Sequence, residues 1–247
     1  MIRIDLLTLF PQMCETVLKE SIIGRARERG LVRINCRNIR DYTQDKHRRV
    51  DDTPYGGGGG MVMQARPIYD SYKALCQDVG CPPHLIYMTP QGKTLTQERA
   101  LELSRMENIA ILCGHYEGVD QRLIDEIVDE EISIGDFVLT GGELPALVLT
   151  DAITRLLPGV LAASESYENE SHFSFLLEHP HYTKPDTWLG KEVPQVLLSG
   201  HHANIENWRR EQSLVRTFLR RPDMLEKANL SEKDKLFLKN LARGQEP

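Results

Sequence analysis

Apolar residues in the first 160 positions alternate between strand-like and helix-like spacing. Ile2 to Phe10 alternates, becomes continuously apolar and stops at Pro11, which predicts a strand. From Met13 to Arg29 the apolar residues recur at helical spacing, with Gly30 as a plausible stop. Leu31 to Cys36 then predicts a second strand.

The same alternation continues beyond a glycine-rich segment. Further strands are predicted at Leu85 to Met88, Ile109 to Cys113 and Ile132 to Ile134, and further helices at Pro67 to Val79, Thr94 to Met106, Asp120 to Val128 and from about Pro145 to Leu157. These strands are too apolar for a sheet with one exposed face. The pattern therefore predicts an α/β fold with a largely parallel, buried sheet.

The pattern changes after Leu157. Ala162 to Phe173 is polar and irregular, which predicts an interdomain linker, and Pro180 to Pro194 stays irregular. Helices are predicted at His202 to Arg220 and from Ser231, a good N-cap residue, to about Ala242. We expect an α/β domain at residues 1–160, a flexible linker at 161–175 and a small helical domain at 176–247.

Three predicted strands end in loops rich in glycine or proline. The loops are Thr89-Pro90-Gln91-Gly92, Gly114-His115-Tyr116-Glu117-Gly118 and Gly135 to Gly142. Ligands of α/β folds bind at the carboxyl ends of strands, so these loops predict a cofactor crevice. The Gly-x-Gly-x-x-Gly, P-loop and Gly-x-Ser-x-Gly motifs do not occur, which disfavours the usual dinucleotide and P-loop sites.

The segment from Asp51 to Met61 contains five consecutive glycines, Gly56 to Gly60. Ordering so many glycines has a large entropic cost, which would suit a plain flexible linker. The basic run Lys46-His47-Arg48-Arg49 stands just before it. A loop that becomes ordered when a polyanion binds is the preferred interpretation.

Charge is unevenly distributed along the 247 residues, whose net charge is -6. A negative net charge taken alone argues against a nucleic-acid partner. Basic residues nevertheless dominate from Arg25 to Arg49 and again at Arg209, Arg210, Arg216, Arg220 and Arg221, whereas acidic residues concentrate from Glu117 to Glu143. Such asymmetry is compatible with a phosphate-binding face, and equally with solvated helix faces.

The cysteines and the apolar runs narrow the class of protein. Cys14, Cys36, Cys76, Cys81 and Cys113 are odd in number and form no Cys-x-x-Cys, which argues against a disulfide framework or a zinc ribbon, so buried free thiols are expected. No apolar run approaches the ~18 residues that span a bilayer. The N-terminus also lacks a secretory leader, so we expect a cytoplasmic protein without a membrane span.

Several longer motifs occur in a fixed order along the chain. They are Leu9-Phe10-Pro11; Val50-Asp51-Asp52-x-Pro54-Tyr55-Gly56-Gly57-Gly58-x-Gly60-Met61; Cys113-Gly114-x-Tyr116-Glu117-Gly118; Ser133-Ile134-Gly135-Asp136 with Thr140-Gly141-Gly142-Glu143-Leu144-Pro145; and Trp208-Arg209. Together they resemble the bacterial tRNA (guanine-N1)-methyltransferases, the TrmD family of the SPOUT class. The resemblance covers almost the whole chain.

The resemblance implies a fold and a cofactor. The fold is a homodimer whose N-terminal α/β domain, a largely parallel sheet flanked by helices, is tied in a deep trefoil knot. The cofactor is S-adenosylmethionine, held by the loops of the knot. Matched by position, its binding residues are Tyr87, Thr89, Pro90, Gly114, Tyr116, Glu117, Gly118, Ser133, Ile134, Gly135, Leu139, Gly141, Gly142 and Pro145.

The resemblance further implies methyl transfer to N1 of the guanosine at tRNA position 37, preceded by another guanosine. Such a transfer needs a base for the N1 proton and a cationic donor for the charge that develops on O6. By resemblance the donor is Arg155 and the base position, an aspartate in the family, is Glu170. Glutamate has a similar reference pKa, ~4.3 against ~3.9, but one more methylene. Glu168 is a rival base in the same segment.

The resemblance also implies that the helical domain at 176–247 binds tRNA, and it names residues that contact tRNA. They are His47, Asp51, Gly60 and Ser166, to which charge adds the arginines. Family behaviour implies magnesium, although no metal-ligand spacing in the chain requires it. Two alternatives stay open: a tRNA-binding protein that has lost its catalytic base, and another α/β enzyme that uses a nucleotide.

Overall fold

The computed structural model describes residues 1–161 and 170–244. Two compact units divide the chain, Met1–Ala162 and Ala163–Pro247, and each is described by itself. Within the described residues no helix is both long enough and apolar enough to cross a membrane.

A five-stranded parallel sheet forms the centre of the first unit. The strands of this unit are β1 (Ile2–Thr8), β2 (Val32–Asn38), β3 (Asp51–Asp52), β4 (Val62–Met63), β5 (His84–Thr94), β6 (Asn108–Cys113) and β7 (Glu130–Ser133). The sheet has the order β2-β1-β6-β5-β7, while β3 and β4 form a separate antiparallel pair. The predicted α/β class with a largely parallel sheet is therefore confirmed.

Helices cover both faces of this sheet. They are α1 (Pro11–Leu18), α2 (Ser21–Glu28), α3 (Ala65–Val79), α4 (Gln97–Leu103), α5 (Gln121–Ile127) and α6 (Glu143–Thr154), together with a 3₁₀ turn at Ile39–Tyr42. Residues of α1, α2, α4 and α6 share one apolar core with alternate strand residues such as Ile4 and Ile111. Residues of α3, α5 and the 3₁₀ turn form the other core with the intervening strand residues such as Leu7 and Leu112. This alternation follows from the two-residue period of a strand.

The single helix predicted from Met13 to Arg29 is wrong, because α1 and α2 are separate helices. Lys19 caps α1 and Glu20 is extended before α2 begins. The chain returns closely over itself here: a Cβ atom on Gly24 would lie 2.1 Å from the carbonyl oxygen of Lys19. Both short helices bury residues in the same core, so their apolar spacing continues across the break.

The second unit contains four helices and one small hairpin within its described residues. Its elements are β8 (Thr187–Trp188), β9 (Lys191–Glu192), α7 (Gln195–Leu198), α8 (His202–Arg220), α9 (Pro222–Leu225) and α10 (Glu232–Ala242). The helix predicted at His202 to Arg220 is confirmed with the same bounds. Ser231 caps α10 as predicted: its side chain accepts from the Asp234 backbone N–H, and the Asp234 carboxylate accepts from that of Ser231.

All five cysteines are free thiols. Cys14 and Cys113 are buried as expected, Cys36 and Cys76 are only partly buried, and Cys81 is exposed, so the expectation of buried thiols is wrong for Cys81.

Candidate active site

A cavity of about 340 Å³ opens beside a bulge inside β5 and the carboxyl ends of β6 and β7. Its lining comes from the bulge of β5, the loop after β6 and the segment between β7 and α6. All the residues that the resemblance assigned to cofactor binding line it: Tyr87, Thr89, Pro90, Gly114, Tyr116, Glu117, Gly118, Ser133, Ile134, Gly135, Leu139, Gly141, Gly142 and Pro145. The fold thus gathers residues from three distant stretches of sequence into one site; their role in binding stays a prediction.

The first wall is a bulge inside β5. Met88 and Lys93 both pair with Ile132 of β7, so residues 89–92 leave the ladder and turn into the cavity wall. Gly92 permits the close approach of the two strands, since a Cβ atom there would lie 2.4 Å from the Glu131 carbonyl carbon. This bulge is the predicted Thr89 to Gly92 loop, although the strand continues past it.

The phenol of Tyr87 lies at the base of this wall. Its side chain is buried beside Gly114. Burial raises the pKa of Tyr87 and the nearby charge of Glu131 raises it further, while hydrogen bonding with Thr89 lowers it in part. The phenol therefore stays neutral at pH 7, and its hydroxyl can serve as a hydrogen-bond donor.

The second wall is the loop after β6. Tyr116 has a positive φ of 59°, and Gly118 has a φ of 134°, a conformation that favours glycine. The Tyr116 hydroxyl accepts a hydrogen bond from Arg40 Nη2 at 3.3 Å. An outward turn of this kind leaves the Tyr116 ring partly exposed at the mouth of the cavity.

Backbone hydrogen bonds join this loop to the end of the glycine-rich segment. The Glu117 N–H donates to the Met61 carbonyl at 2.9 Å, and the Met63 N–H donates to the Gly118 carbonyl at 2.9 Å. A Cβ atom on Gly60 would lie 2.3 Å from Glu117 Oε1. Gly60, a predicted tRNA contact, therefore lies directly against Glu117, a predicted cofactor residue.

The third wall is the glycine segment before α6. The Gly142 N–H donates to the Gly114 carbonyl at 2.8 Å, which fixes this segment to the end of β6. A Cβ atom on Gly142 would lie 2.8 Å from the Cα of Cys113, so only glycine fits without a backbone shift. At the other end, the Ser133 hydroxyl donates to the Gly135 carbonyl at 3.0 Å and accepts from its N–H at 3.1 Å.

A buried carboxylate lies behind this wall. Glu143, the first residue of α6, is 2 % exposed. Its Oε1 accepts a hydrogen bond from Thr8 Oγ1 at 2.8 Å, and its Oε2 is 3.5 Å from His115 Nε2. The three side chains connect the ends of β1 and β6 with α6. In the sequence Glu143 belongs to the motif from Thr140 to Pro145, but nothing there indicates that its carboxylate is buried and hydrogen-bonded to Thr8.

The charge of the lining limits what the cavity can bind. Glu117 and Glu131 contribute carboxylates, and no described residue of the lining is a lysine or an arginine. A polyphosphate would meet like charge there, whereas a ligand with a positive centre would be stabilised. The large apolar residues Phe137 and Val138 also line the cavity, and they are 53 % and 81 % exposed. They were missed, although two large apolar residues inside a glycine loop are a recognisable signal of a ligand site.

The predicted catalytic residue Arg155 is not among the described residues that line the cavity. Arg155 caps the carboxyl end of α6, whereas the cavity lies at its amino end. Twelve residues at 1.5 Å each separate the two ends by about 18 Å. Glu170 belongs to the second unit. Ser166 and the rival base Glu168 lie outside the described residues.

The remaining tRNA candidates surround the glycine-rich segment. His47 is exposed, and its backbone N–H donates to Asp45 Oδ1 at 2.8 Å. Asp51 begins β3 and pairs with Met63 of β4. The structure thus places Asp51 and Gly60 in one loop region, with His47 just before it in the chain.

Some arginines of the basic stretch from Arg25 to Arg49 form ion pairs that stabilise the fold. Arg27 pairs with Glu15 at 3.1 Å, and Arg37 pairs with both the buried Asp5 and Asp78. These arginines are therefore held by carboxylates. Within residues 1–161 and 170–244, no group of three or more His, Cys, Asp or Glu side chains is arranged to hold a metal ion.

Comparison with known proteins agrees with the motifs. The family described as "tRNA (Guanine-1)-methyltransferase TrmD" matches residues 2–227. A tRNA (guanine-N(1)-)-methyltransferase of Ruminiclostridium cellulolyticum is 60 % identical over 225 residues, covering 91 % of this chain and 97 % of the relative. Proteins of the same name from Desulforamulus reducens and Bacillus licheniformis are 53 % and 51 % identical, covering 97 % and 96 % of this chain and 94 % and 97 % of their own lengths. The chain belongs to the tRNA (guanine-N1)-methyltransferase TrmD family.

Proposed function

We propose that this chain transfers a methyl group from S-adenosylmethionine to N1 of guanosine 37 in tRNA, and that it works as a homodimer. The observation that carries the proposal is the cavity, because one site collects every residue matched to cofactor binding. Membership of the family makes tRNA the substrate and N1 of guanine the methylated atom.

The lining of the cavity suits S-adenosylmethionine better than it suits a nucleotide phosphate. S-adenosylmethionine would supply a methyl group carried on a positively charged sulfur. The carboxylates of Glu117 and Glu131 favour a cation, while the glycine segments bring backbone N–H and C=O groups to the surface of the cavity. Phe137, Val138 and Leu139 give apolar surface against which an adenine ring can lie. A pyrophosphate, as in NAD or ATP, finds no lysine or arginine among the described residues of this lining.

Two further residues handle the proton and the charge of the guanine. The Glu170 carboxylate would accept the proton that guanine N1 gives up when it receives the methyl group. The charge that develops on O6 is stabilised by the Arg155 guanidinium. The extra methylene of Glu170 relative to the family aspartate lets its carboxylate reach the guanine from a backbone position slightly farther away.

The remote position of Arg155 supports action across a dimer. α6 carries buried residues on one side and the exposed Leu144 and Val148 on the other. The neighbouring α1 exposes Met13 and Val17, with Phe10 just before it. A two-fold contact that sets α6 antiparallel to its copy would cover this apolar stripe. It would also bring Arg155 of one protomer towards the glycine segment that precedes α6 in its partner.

We also propose that the chain forms the trefoil knot of the family. The path of the chain around β7 supports this proposal. Lys93 and Thr94 pair with β7 beyond the bulge, and the Leu95 N–H donates to the Ser133 carbonyl at 2.8 Å. The chain then returns from β7 to β6 through Gly142.

Calorimetry and a transfer assay test the proposal. We expect S-adenosylmethionine to bind in titrations in which NAD and ATP give no heat. Labelled methyl should pass to tRNA transcripts with guanosine at position 37 and not to matched transcripts with adenosine there. Binding of RNA without transfer would instead support a tRNA-binding protein that has lost its base, and binding of NAD or ATP would support a different enzyme.

A further inference from the structure

The buried carboxylate of Glu143 lies against the wall of the cavity. Glu143 is 2 % exposed, and its Oε2 would lie 2.7 Å from a Cβ atom on Gly141. His115 Nε2 would lie 2.5 Å from the same Cβ atom. Gly141 and His115 line the cavity, whereas Glu143 is not among the described residues that line it. Because Gly141 has no side chain, the Glu143 carboxylate comes close to the space that a ligand would fill.

The contacts of Glu143 suit an ionised carboxylate. Its Oε1 accepts a hydrogen bond from the Thr8 hydroxyl, and its Oε2 lies 3.5 Å from His115 Nε2. Glu143 is also the first residue of α6, where the partial positive charge of a helix start stabilises a negative side chain. The charge acts on the cavity wall as well. Burial raises the pKa of the Cys113 thiol, next to Gly114 of the wall, and the charge of Glu143 raises that pKa further.

The Thr8 hydroxyl fixes the orientation of this carboxylate. It donates to Glu143 Oε1 at 2.8 Å and accepts from the Phe10 N–H at 2.9 Å, so both of its partners are set. Oε2 is therefore the oxygen that faces Gly141 and His115. The substitution Glu143→Gln can keep this arrangement, because the amide oxygen can accept from the same hydroxyl. Charge can thus be removed here with little change of shape.

The charge of Glu143 is less screened than the charges of the carboxylates in the lining. Glu117 is exposed and Glu131 is partly exposed, so water and salt weaken their fields. Glu143 is buried, and a charge acts more strongly at the lower effective dielectric of a protein interior. Within residues 1–161 and 170–244, its one ion-pair contact is with His115, and no lysine or arginine compensates it.

We propose that Glu143 is a specificity-determining residue, which makes the cavity bind the positively charged methyl donor more tightly than the neutral product. S-adenosylmethionine carries a sulfonium, whereas S-adenosylhomocysteine, which remains after transfer, is a neutral thioether. The two ligands differ only in that methyl group and that charge, so a buried negative charge against the wall favours the donor. The donor is then retained before transfer and the product released after it. This inference rests on the proposed function, because it takes S-adenosylmethionine as the occupant of the cavity.

The ratio of two affinities separates this role from a purely structural one. Calorimetry on the full-length protein gives the dissociation constants of S-adenosylmethionine and S-adenosylhomocysteine at pH 8, where imidazole groups carry little charge. In Glu143→Gln we expect the affinity for S-adenosylmethionine to fall about tenfold and that for S-adenosylhomocysteine to change less than about twofold. A residue that only supported the fold would lower both affinities alike.

A matched variant and a salt series control for other effects of charge. Glu126→Gln removes an equal charge from an exposed position on α5, so both dissociation constants should stay within about twofold of the wild type. In the wild-type protein, the ratio of the two affinities should change less than about twofold between low and high salt, because a buried charge is little screened. The salt series needs no variant, so it decides the inference even where Glu143→Gln does not fold.

Two outcomes would overturn the role of Glu143 and leave the proposed function standing. The first is an affinity ratio in Glu143→Gln equal to that of the wild type, whether both ligands bind normally or both bind more weakly. The second is a wild-type ratio that falls steeply with salt, which would assign the discrimination to the exposed Glu117. A wild-type protein that binds neither ligand would contradict the proposed function, and this inference with it.

Discussion

At the scale of single residues, a substitution of Thr8 tests the buried hydrogen bonds behind the cavity. It donates to Glu143 at 2.8 Å and accepts from the Phe10 N–H at 2.9 Å, and Thr8 is fully buried. Thr8→Val keeps the shape and leaves these partners unsatisfied. We expect the free energy of unfolding in urea to fall by about 1–3 kcal/mol.

Thr16→Val is the matched control for this change. The Thr16 hydroxyl donates to the Gln12 carbonyl at 2.8 Å on the exposed side of α1, where water can replace it. Its loss should change the unfolding free energy by less than about 0.5 kcal/mol. Equal effects of the two substitutions would contradict the buried role given to Thr8 and Glu143.

A second residue-scale prediction concerns the close contact at Gly142. Gly142→Ala would force the glycine segment away from the end of β6, because the new methyl group meets backbone atoms at 2.8 Å. We expect at least a tenfold loss of S-adenosylmethionine affinity in calorimetry. Gly59→Ala is the control, since a Cβ atom there meets open space and its φ is not positive. Unchanged affinity in Gly142→Ala would show that this segment takes no part in binding S-adenosylmethionine.

At the scale of elements, α10 and α8 are held together by a charge that depends on pH. Burial acts to raise the pKa of Asp234, but hydrogen bonds from Arg210 and Ser231 outweigh it and the pKa is lowered. Its contribution to stability is therefore present above the unfolded pKa of ~3.9 and is lost as the pH falls through the folded pKa. Asp234→Asn should lower stability by about 1 kcal/mol at pH 7, and the difference from the wild type should vanish in the acid range. A difference that persisted at pH 2 would point to packing instead.

Element boundaries were predictable where the signal is local. Ser231 begins α10 because a serine can cap a helix whatever surrounds it, and Gly80, with a φ of 84°, ends α3 at the predicted place. The break between α1 and α2 was not predictable, because it depends on Gly24 approaching the Lys19 carbonyl rather than on apolar spacing. The continuation of β5 beyond its bulge depends on pairing with β7, which follows far along the chain.

At the scale of the whole molecule, the apolar stripe of α1 and α6 predicts the dimer contact. Val17 and Val148 are 47 % and 48 % exposed. Val17→Asp or Val148→Asp would place an unpaired charge in that contact, so the dissociation constant of the dimer should rise about a hundredfold in sedimentation. Leu236→Asp is the control, because Leu236 is 59 % exposed on α10 and outside the stripe. A dimer unaffected by Val17→Asp and Val148→Asp would rule out this interface.

The assembly of the site was only partly predictable at this scale. Three glycine-bearing strand ends indicated one crevice, since parallel strands end at the same edge, and the structure confirms that edge. The order β2-β1-β6-β5-β7 depends on contacts between distant segments, and no local pattern encodes it. The contact of Gly60 with Glu117, and that of Thr8 with Glu143, follow from this order and were therefore invisible in the sequence.

The most direct measurement is the single-turnover rate of methyl transfer to a tRNA transcript with guanosine at position 37, together with the dissociation constant of S-adenosylmethionine. Glu170→Gln and Arg155→Ala should each slow transfer by about 10²-fold or more while the dissociation constant stays within twofold of the wild type. Wild-type transfer rates in both variants would contradict the roles given to these two residues, and with them the proposed mechanism.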